Sequence, residues 1–148
     1  MSSTFLLRMI TPEQIIYQQP ATKLIINTLE GEITILPSHT PLVSVIKPGE
    51  AKITELQDHN TPKERTMAVS EGIIEIRENT VRLLLQKAER VEELEREKIE
   101  LAKKKAEEMI EKAKKMGVDK QEFAKLESGL EREIARLKVL EKYRRKRG

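Results

Sequence analysis

Cysteine is absent from this 148-residue sequence, which removes disulfides, thiolate chemistry and cysteine-based metal sites. Aromatic residues make up only 3%, so a core has few large side chains to draw on. No apolar run approaches the roughly 20 residues that a membrane-spanning helix needs. The first ten residues lack a basic segment followed by a long apolar one and read as no secretory signal. His39 and His59 are the only histidines, and neither HExxH nor a comparable ligand spacing occurs. No glycine-rich loop is present to cradle phosphate, and there is no G-x-S-x-G elbow. Ser38 and His39 are neighbours, so they cannot alone supply the nucleophile, base and orienting acid of a triad. The carboxylates of the C-terminal half are spread among lysines, as on any solvated helix. The sequence reads as no enzyme by itself.

What is present divides in two. Charged residues reach 36%, with a net charge of +3, but the sign is uneven. Residues 1–86 carry 8 basic and 10 acidic residues, whereas residues 87–148 carry 20 and 15. Such asymmetry marks a boundary and suggests an acidic partner or a polyanion for the basic half.

Residues 1–86 hold many short runs rich in β-branched residues, among them TFLLRMI, TKLIINT, EITIL, LVSVI, AKITEL, RTMAVS, GIIEI and TVRLLLQ. Turn signals separate them at Thr11-Pro12, Gly31, Pro37-Ser38, Lys47-Pro48-Gly49, His59-Asn60-Thr61-Pro62, Glu71-Gly72 and Glu78-Asn79. This spacing predicts an antiparallel sandwich or barrel. After Gln86 there is no proline. Ala88, Val91, Leu94, Ile99, Ala102, Ala106, Met109, Ile110, Ala113 and Met116 recur at helical spacing. Gly117 is placed to end that helix. Asp119, with Glu122 three residues on, then starts a second helix, whose apolar face is Phe123, Leu126, Leu130, Ile134, Leu137 and Leu140. The short break predicts an antiparallel hairpin. Its seam is narrow and rich in alanine, so the hairpin calls for another surface and behaves as a movable arm.

The stretch LEGEITILPSHTPLVSVIKPGEAKI resembles the signature of the epsilon-subunit family of F-type ATP synthases, E-G-[EQ]-[IL]-x-[IV]-[LY]-P-x-H-x-P-[LI]-x-x-x-[IL]-x-P-G. The matching positions are Glu30, Gly31, Glu32, Ile33, Ile35, Leu36, Pro37, His39, Pro41, Leu42, Ile46, Pro48 and Gly49. MAVSEGIIEI is similar to the family's S-G-G-[FI]-x-E-[VI] segment, with Glu71 in place of a glycine. FAKLESGLEREIARLKVLEKYRR is similar to its second helix. The resemblance implies an α+β architecture: a β-sandwich of about ten strands over residues 1–86, which binds the rotor, and a regulatory two-helix hairpin over 87–148.

It further implies a non-catalytic rotor subunit of the central stalk, with the gamma subunit, the ring of c subunits and an acidic segment of the catalytic beta subunits as partners. Glu32 and His39 match positions near the c-ring contact, with Glu30 beside them. The plainer alternative leaves His39 satisfying turn hydrogen bonds and Glu32 solvated on a strand. The hairpin is implied to fold down or to extend toward the catalytic head, where it impedes hydrolysis. Lys103, Lys104, Lys105, Arg132, Arg136 and the tail KYRRKRG are the residues expected to meet acidic groups there, unless they form only a solvated face. Some members bind ATP in the folded hairpin through [IL]-D-x-x-R-A. Here Leu94 and Glu95 take the first two places, Lys98 stands for the arginine and Ile99 for the alanine, while Arg132 and Arg136 match the second-helix arginines. Lysine lacks the guanidinium fork and Ile99 adds bulk, so these departures predict weak or absent ATP binding and no required cofactor.

The expected location is the cytoplasmic face of a cell's inner membrane, peripheral through the complex, rather than a thylakoid. A nucleic-acid-binding protein would need a basic patch with aromatic or arginine contacts. The helical half instead interleaves acidic residues and has only Phe123 and Tyr143 as aromatics. A coiled-coil adaptor with a β-domain head is the other alternative.

Overall fold

The computed structural model describes residues 3–58 and 60–147, the last two of these by backbone alone. His59, which opens one of the turn signals, lies outside the described residues, as do Met1, Ser2, Gly148 and the side chains of Lys146 and Arg147 in the basic tail. The chain forms two compact units, Met1–Arg90 and Val91–Gly148.

The first unit contains β1 (Phe5–Ile10), β2 (Ile15–Ala21), β3 (Lys23–Thr28), β4 (Gly31–Ile35), β5 (Leu42–Gln57), β6 (Thr61–Val69), β7 (Gly72–Arg77), β8 (Thr80–Leu85) and β9 (Ala88–Arg90). The nine strands among the described residues, where the sequence predicts about ten, form one continuous ladder in the order β2-β1-β8-β7-β5-β3-β4, with β6 on β5 and β9 on β6. Pairing is antiparallel except for β1 beside β8, which is parallel. Side chains alternate along the strands. Phe5, Leu7, Met9, Leu24, Ile26, Ile35, Ile46, Ile53, Ile74, Val81 and Leu83 turn inward to one core.

Three turn or helix signals resolve differently. Lys47-Pro48-Gly49 does not end a strand, because β5 runs through it. Residues Leu42 to Ile46 pair with β7, and Gly49 to Gln57 pair with β6. Pro48, which has no N–H to give, sits where the ladder changes partners, the position a strand proline tolerates. That change of partner folds the sheet into a sandwich. Thr61 and Pro62 likewise belong to β6, opposite Gln57 and Leu56. Ala88 lies in β9 rather than in a helix: it pairs with Val69 and is buried in the core. The sandwich unit therefore runs to Arg90, and residues 87–90 leave the helical half.

Where β2 meets β5 the core carries a polar cluster. The Tyr17 hydroxyl donates to the Glu55 carboxylate. Arg65 Nε stands 2.8 Å from the same carboxylate as an ion pair, its N–H turned off the line of a hydrogen bond. Burial, reinforced by the Glu55 hydrogen bond and charge, holds the Tyr17 proton well above the usual tyrosine range.

In the second unit a 3-10 turn, Val91–Glu93, precedes α1 (Arg96–Met116) and α2 (Lys120–Arg147). Gly117 adopts a left-handed conformation (φ 73°) and its N–H reaches the Ala113 carbonyl; this is the αL stop that glycine permits. The Glu122 N–H donates to Asp119 Oδ1 at 2.8 Å, the expected N-cap of α2. Arg96, at the start of α1, bonds Glu141 near the end of α2 at 3.2 Å, so the helices are antiparallel. Ile99, Ile110 and Ala113 of α1 and Val139 and Leu140 of α2 are buried. Phe123, Leu126, Leu130, Ile134 and Leu137 are only half-buried, as a narrow, alanine-rich seam predicts.

Candidate functional site

The Ser38-His39 pair is a turn. Ser38 has φ 64° and uses its backbone N–H, which donates to Asn79 Oδ1 at 2.8 Å. Asn79 belongs to the two-residue β7–β8 hairpin, where Glu78 and Asn79 both have positive φ (51° and 57°), the type I′ geometry that asparagine favours. Its amide nitrogen donates to the Thr4 carbonyl at 2.9 Å, and its own carbonyl accepts from the Leu6 N–H at 3.2 Å. One asparagine thus ties the Pro37–Pro41 turn to the hairpin and to the start of β1. His39 Nδ1 lies 2.7 Å from the Thr40 carbonyl, a contact in which Nδ1 must carry the proton. His39 is thereby oriented by its own turn.

Glu30 and Glu32 flank Gly31 (φ 116°), where the β3–β4 turn enters β4. Ser44 Oγ donates to Glu30 at 2.7 Å, and the Glu30 N–H donates to Thr28 Oγ1 at 3.2 Å. The Ser44 hydrogen bond, then backbone N–H and Thr28 donors, hold the Glu30 carboxyl below the usual range, so it stays charged and acceptor-only. Glu32 is exposed on β4, opposite Asn27. Ser44 lies two residues into β5, and the His39 turn leads directly into that strand. The two turns therefore gather around the first residues of β5. Asn79 and Ser44, the residues that organise this edge, carry no motif of their own in the sequence; only the Glu78-Asn79 turn signal pointed there.

The outer face of the sandwich holds a second feature. Cross-strand registers align Val45 with Ile73, Ile73 with Leu84, Leu84 with Ile10 and Ile10 with Ile15. Their sequence neighbours Ile46, Ile74, Leu83 and Met9 are buried, so this row faces outward by strand alternation. The Leu29 N–H bonds the Val45 carbonyl at 3.0 Å and extends the row. Leu29 is 64% exposed, Ile15 51%, Val45 45% and Ile73 44%. A contiguous apolar row across five strands is the mark of an interaction surface. The adjacent row reads Val43, Glu75, Arg82, Arg8, Gln18.

In the helical unit, Glu95 is the extended residue before α1, and Lys98 Nζ pairs with its carboxylate at 3.3 Å. Ile99 is fully buried. Arg136 Nη1 bonds Glu133 at 2.6 Å. With Arg96 level with Glu141, the rise of about 1.5 Å per residue puts Arg136 near the level of Leu101 and Arg132 near Lys105. Lys103 is half-buried while Lys104 and Lys105 are exposed, and the three make no ion pair among the described residues.

The family model "ATP synthase, Delta/Epsilon chain, beta-sandwich domain" matches residues 4–91. The ATP synthase epsilon chain of Shouchella clausii is 35% identical over 95 residues, 64% of this chain and 68% of the relative. That of Brevibacillus brevis is 38% identical over 87 residues, 59% of this chain and 63% of the relative. The matched stretch thus spans about two thirds of either relative. Among solved structures, a chain of the Euglena gracilis mitochondrial ATP synthase (OSCP/F1/c-ring, rotational state 1) shares the fold, with a TM-score of 0.67 at 23% identity over 91% of this chain and 80% of that one. The family match ends at Val91, so α1 and α2 lie beyond it.

Proposed function

The chain belongs to the delta/epsilon-chain family of F-type ATP synthases, as a non-catalytic subunit of that complex, and we propose that it serves as the stalk subunit joining gamma to the c-ring while its hairpin restrains hydrolysis. The observation that carries the docking part is the apolar row Leu29, Val45, Ile73, Leu84, Ile10 and Ile15 on the outer face. Left in water, such a row is unfavourable at roughly 25 cal/mol per Å²; covered by gamma, it becomes the centre of an interface. The expected test is Ile73→Asp, which places a charge in the middle of the row on an outward position. Association with gamma should fall by about 100-fold or more, as for a central interface residue, while the free chain melts as before. Unchanged association would remove the docking reading.

The edge formed by Glu30, Glu32 and His39 is the proposed c-ring side. Glu30, held ionised by Ser44, and exposed Glu32 suit basic loop residues of the ring, each exposed pair worth about 0–1 kcal/mol. The complex would sit peripherally, on the cytoplasmic face; no helix among the described residues is long and apolar enough to cross a membrane. In the helical unit, the unpaired Lys103, Lys104 and Lys105, with Arg132 and Arg136, are the proposed contact for an acidic segment of the catalytic subunits.

Regulatory ATP is proposed to bind weakly at most. Lys98 is engaged by Glu95 and Arg136 by Glu133, and Ile99 is fully buried where the motif has alanine. A nucleotide would have to displace two intramolecular pairs and find a single lysine in place of a bidentate fork. Calorimetric titration of the full chain with ATP and magnesium is expected to give no saturable heat tighter than about 1 mM. Micromolar saturation abolished by Lys98→Ala would overturn this.

A further inference from the structure

The polar row beside the apolar one is electrically incomplete. Arg8 on β1 and Arg82 on β8 are direct neighbours in the parallel ladder, about 4.8 Å apart along the hydrogen-bonding direction. Like charges directly opposite one another destabilise a sheet. Glu75 on β7 answers one of them: Arg82 Nη1 reaches its carboxylate at 3.4 Å. Among the described residues, Arg8 Nε donates only to the neutral Gln18 amide oxygen, at 3.0 Å. The Arg82 Nε is buried with no hydrogen-bond partner. Of the two guanidiniums only that of Arg82 is met by a carboxylate, immediately beside the apolar row through Ile10, Leu84 and Ile73. The spacing between the two rows is two residues along β5, β7, β8 and β1, or about 6.7 Å, and three along β2, where the register shifts.

We infer that Arg8 and Arg82 form a docking point for a carboxylate of the neighbouring stalk subunit, an aspartate or glutamate carried about 6–7 Å from the apolar ridge that covers Ile73 and Leu84. This rests on the docking reading above and adds the partner's chemistry and register to it. Charge complementarity selects the occupant: a second copy of this chain would bring Arg8 and Arg82 toward the same pair, whereas an apolar ridge flanked by an acid supplies both what the first row lacks and what the second lacks. Paired guanidiniums donate to a carboxylate in bidentate fashion, which fixes orientation as well as adding attraction. Once desolvated by the covered apolar row, such a contact sets specificity and residence time.

The test uses the full chain and the purified gamma subunit, with association measured at low and high ionic strength. Four proteins are compared: wild type, Arg8→Gln/Arg82→Gln, Arg8→Lys/Arg82→Lys and Ile73→Asp. The glutamine pair should bind at least about tenfold more weakly at low salt, show a flattened salt dependence, and melt close to wild type, since relief of the like-charge pair offsets loss of the half-exposed Arg82–Glu75 pair. The lysine pair keeps the charges and should recover most of the salt dependence but not all of the affinity. If the glutamine pair binds within about twofold of wild type at both salts while Ile73→Asp abolishes binding, the docking face stands and the carboxylate is refuted. If Ile73→Asp also binds normally, the docking reading itself fails, and this inference with it. A chain that dimerises through the row and ignores gamma refutes it too.

Discussion

Gly72→Ala is expected to destabilise the sandwich by about 3 kcal/mol, near the upper end for forcing extra volume into a packed site. Gly72 opens β7 between Ile46 of β5 and Leu85 of β8. A β-carbon there would lie 2.1 Å from the Leu84 carbonyl oxygen and 2.8 Å from Leu85 Cδ2. The first clash is with backbone of a strand held on both sides by β1 and β7, so no rotamer change relieves it. The sheet must open locally, and the neighbours Ile73, Leu84 and Val45 of the outer row are displaced with it. For a domain of this size the loss corresponds to a melting shift of roughly 15 °C. The control is Gly129→Ala in α2, where an added β-carbon meets nothing within 4 Å and helix propensity alone predicts a gain of about 1 kcal/mol. Thermal unfolding of both variants decides the matter: a Gly72 variant that melts with wild type would mean that the β7–β8 approach is looser than the geometry states.

Gly72 also illustrates what was legible in the sequence and what was not. Its run, GIIEI, announced a strand through β-branched content, and Glu71-Gly72 announced a boundary. That the glycine is required by a carbonyl of a strand twelve residues away depends on pairing. Local features came through well. Gly117 and Asp119 bound their helices because caps are decided within four residues, and the Ser38-His39 pair reduced to a turn because adjacent residues cannot span a triad. Lys47-Pro48-Gly49 misled because a proline within a strand is normally excluded by its missing donor, and only the exchange of β7 for β6 along β5 provides a place where no donor is needed. Ala88 misled because positions 88, 91 and 94 fit a helical period while Ala88 in fact fills the core opposite Val69. The outer row was illegible for a stronger reason: Ile15, Ile10, Leu84, Ile73 and Val45 come from five strands, and each is an ordinary apolar residue in its own run. Arg8 and Arg82 are separated by most of the sandwich sequence, and only the parallel pairing of β1 with β8 makes them neighbours.

Removing the helical unit should separate stability from regulation, provided that the cut respects β9. A chain ending at Arg90 keeps every strand, whereas one ending at Gln86 loses the pairs of Met67, Ala68 and Val69 with β9. It also loses the Lys87 carbonyl that accepts the Ser70 N–H at 2.9 Å and the Lys87 N–H that reaches Ser70 Oγ at 2.9 Å. With Ala88 gone, Met67 and Val69 lose part of their cover. At about 1 kcal/mol per hydrogen bond, the shorter chain should be less stable by about 3 kcal/mol or more, a cost unrelated to the hairpin. The Arg90 truncation is the informative one. It should fold, bind gamma as the full chain does, and raise ATP hydrolysis by the assembled complex several-fold, because the lysines at 103–105 that are proposed to meet the catalytic head are no longer there. The same relief, in part, should follow from raising salt on the intact complex, since attraction between exposed charges is screened beyond about 8–10 Å. Hydrolysis unchanged by the Arg90 cut, with gamma binding intact, would show that the hairpin is no brake in this protein. The rotor-joining role of the sandwich would then stand without it, because the outer row, the Arg8–Arg82 pair and the edge around Ser44 all belong to the first unit alone.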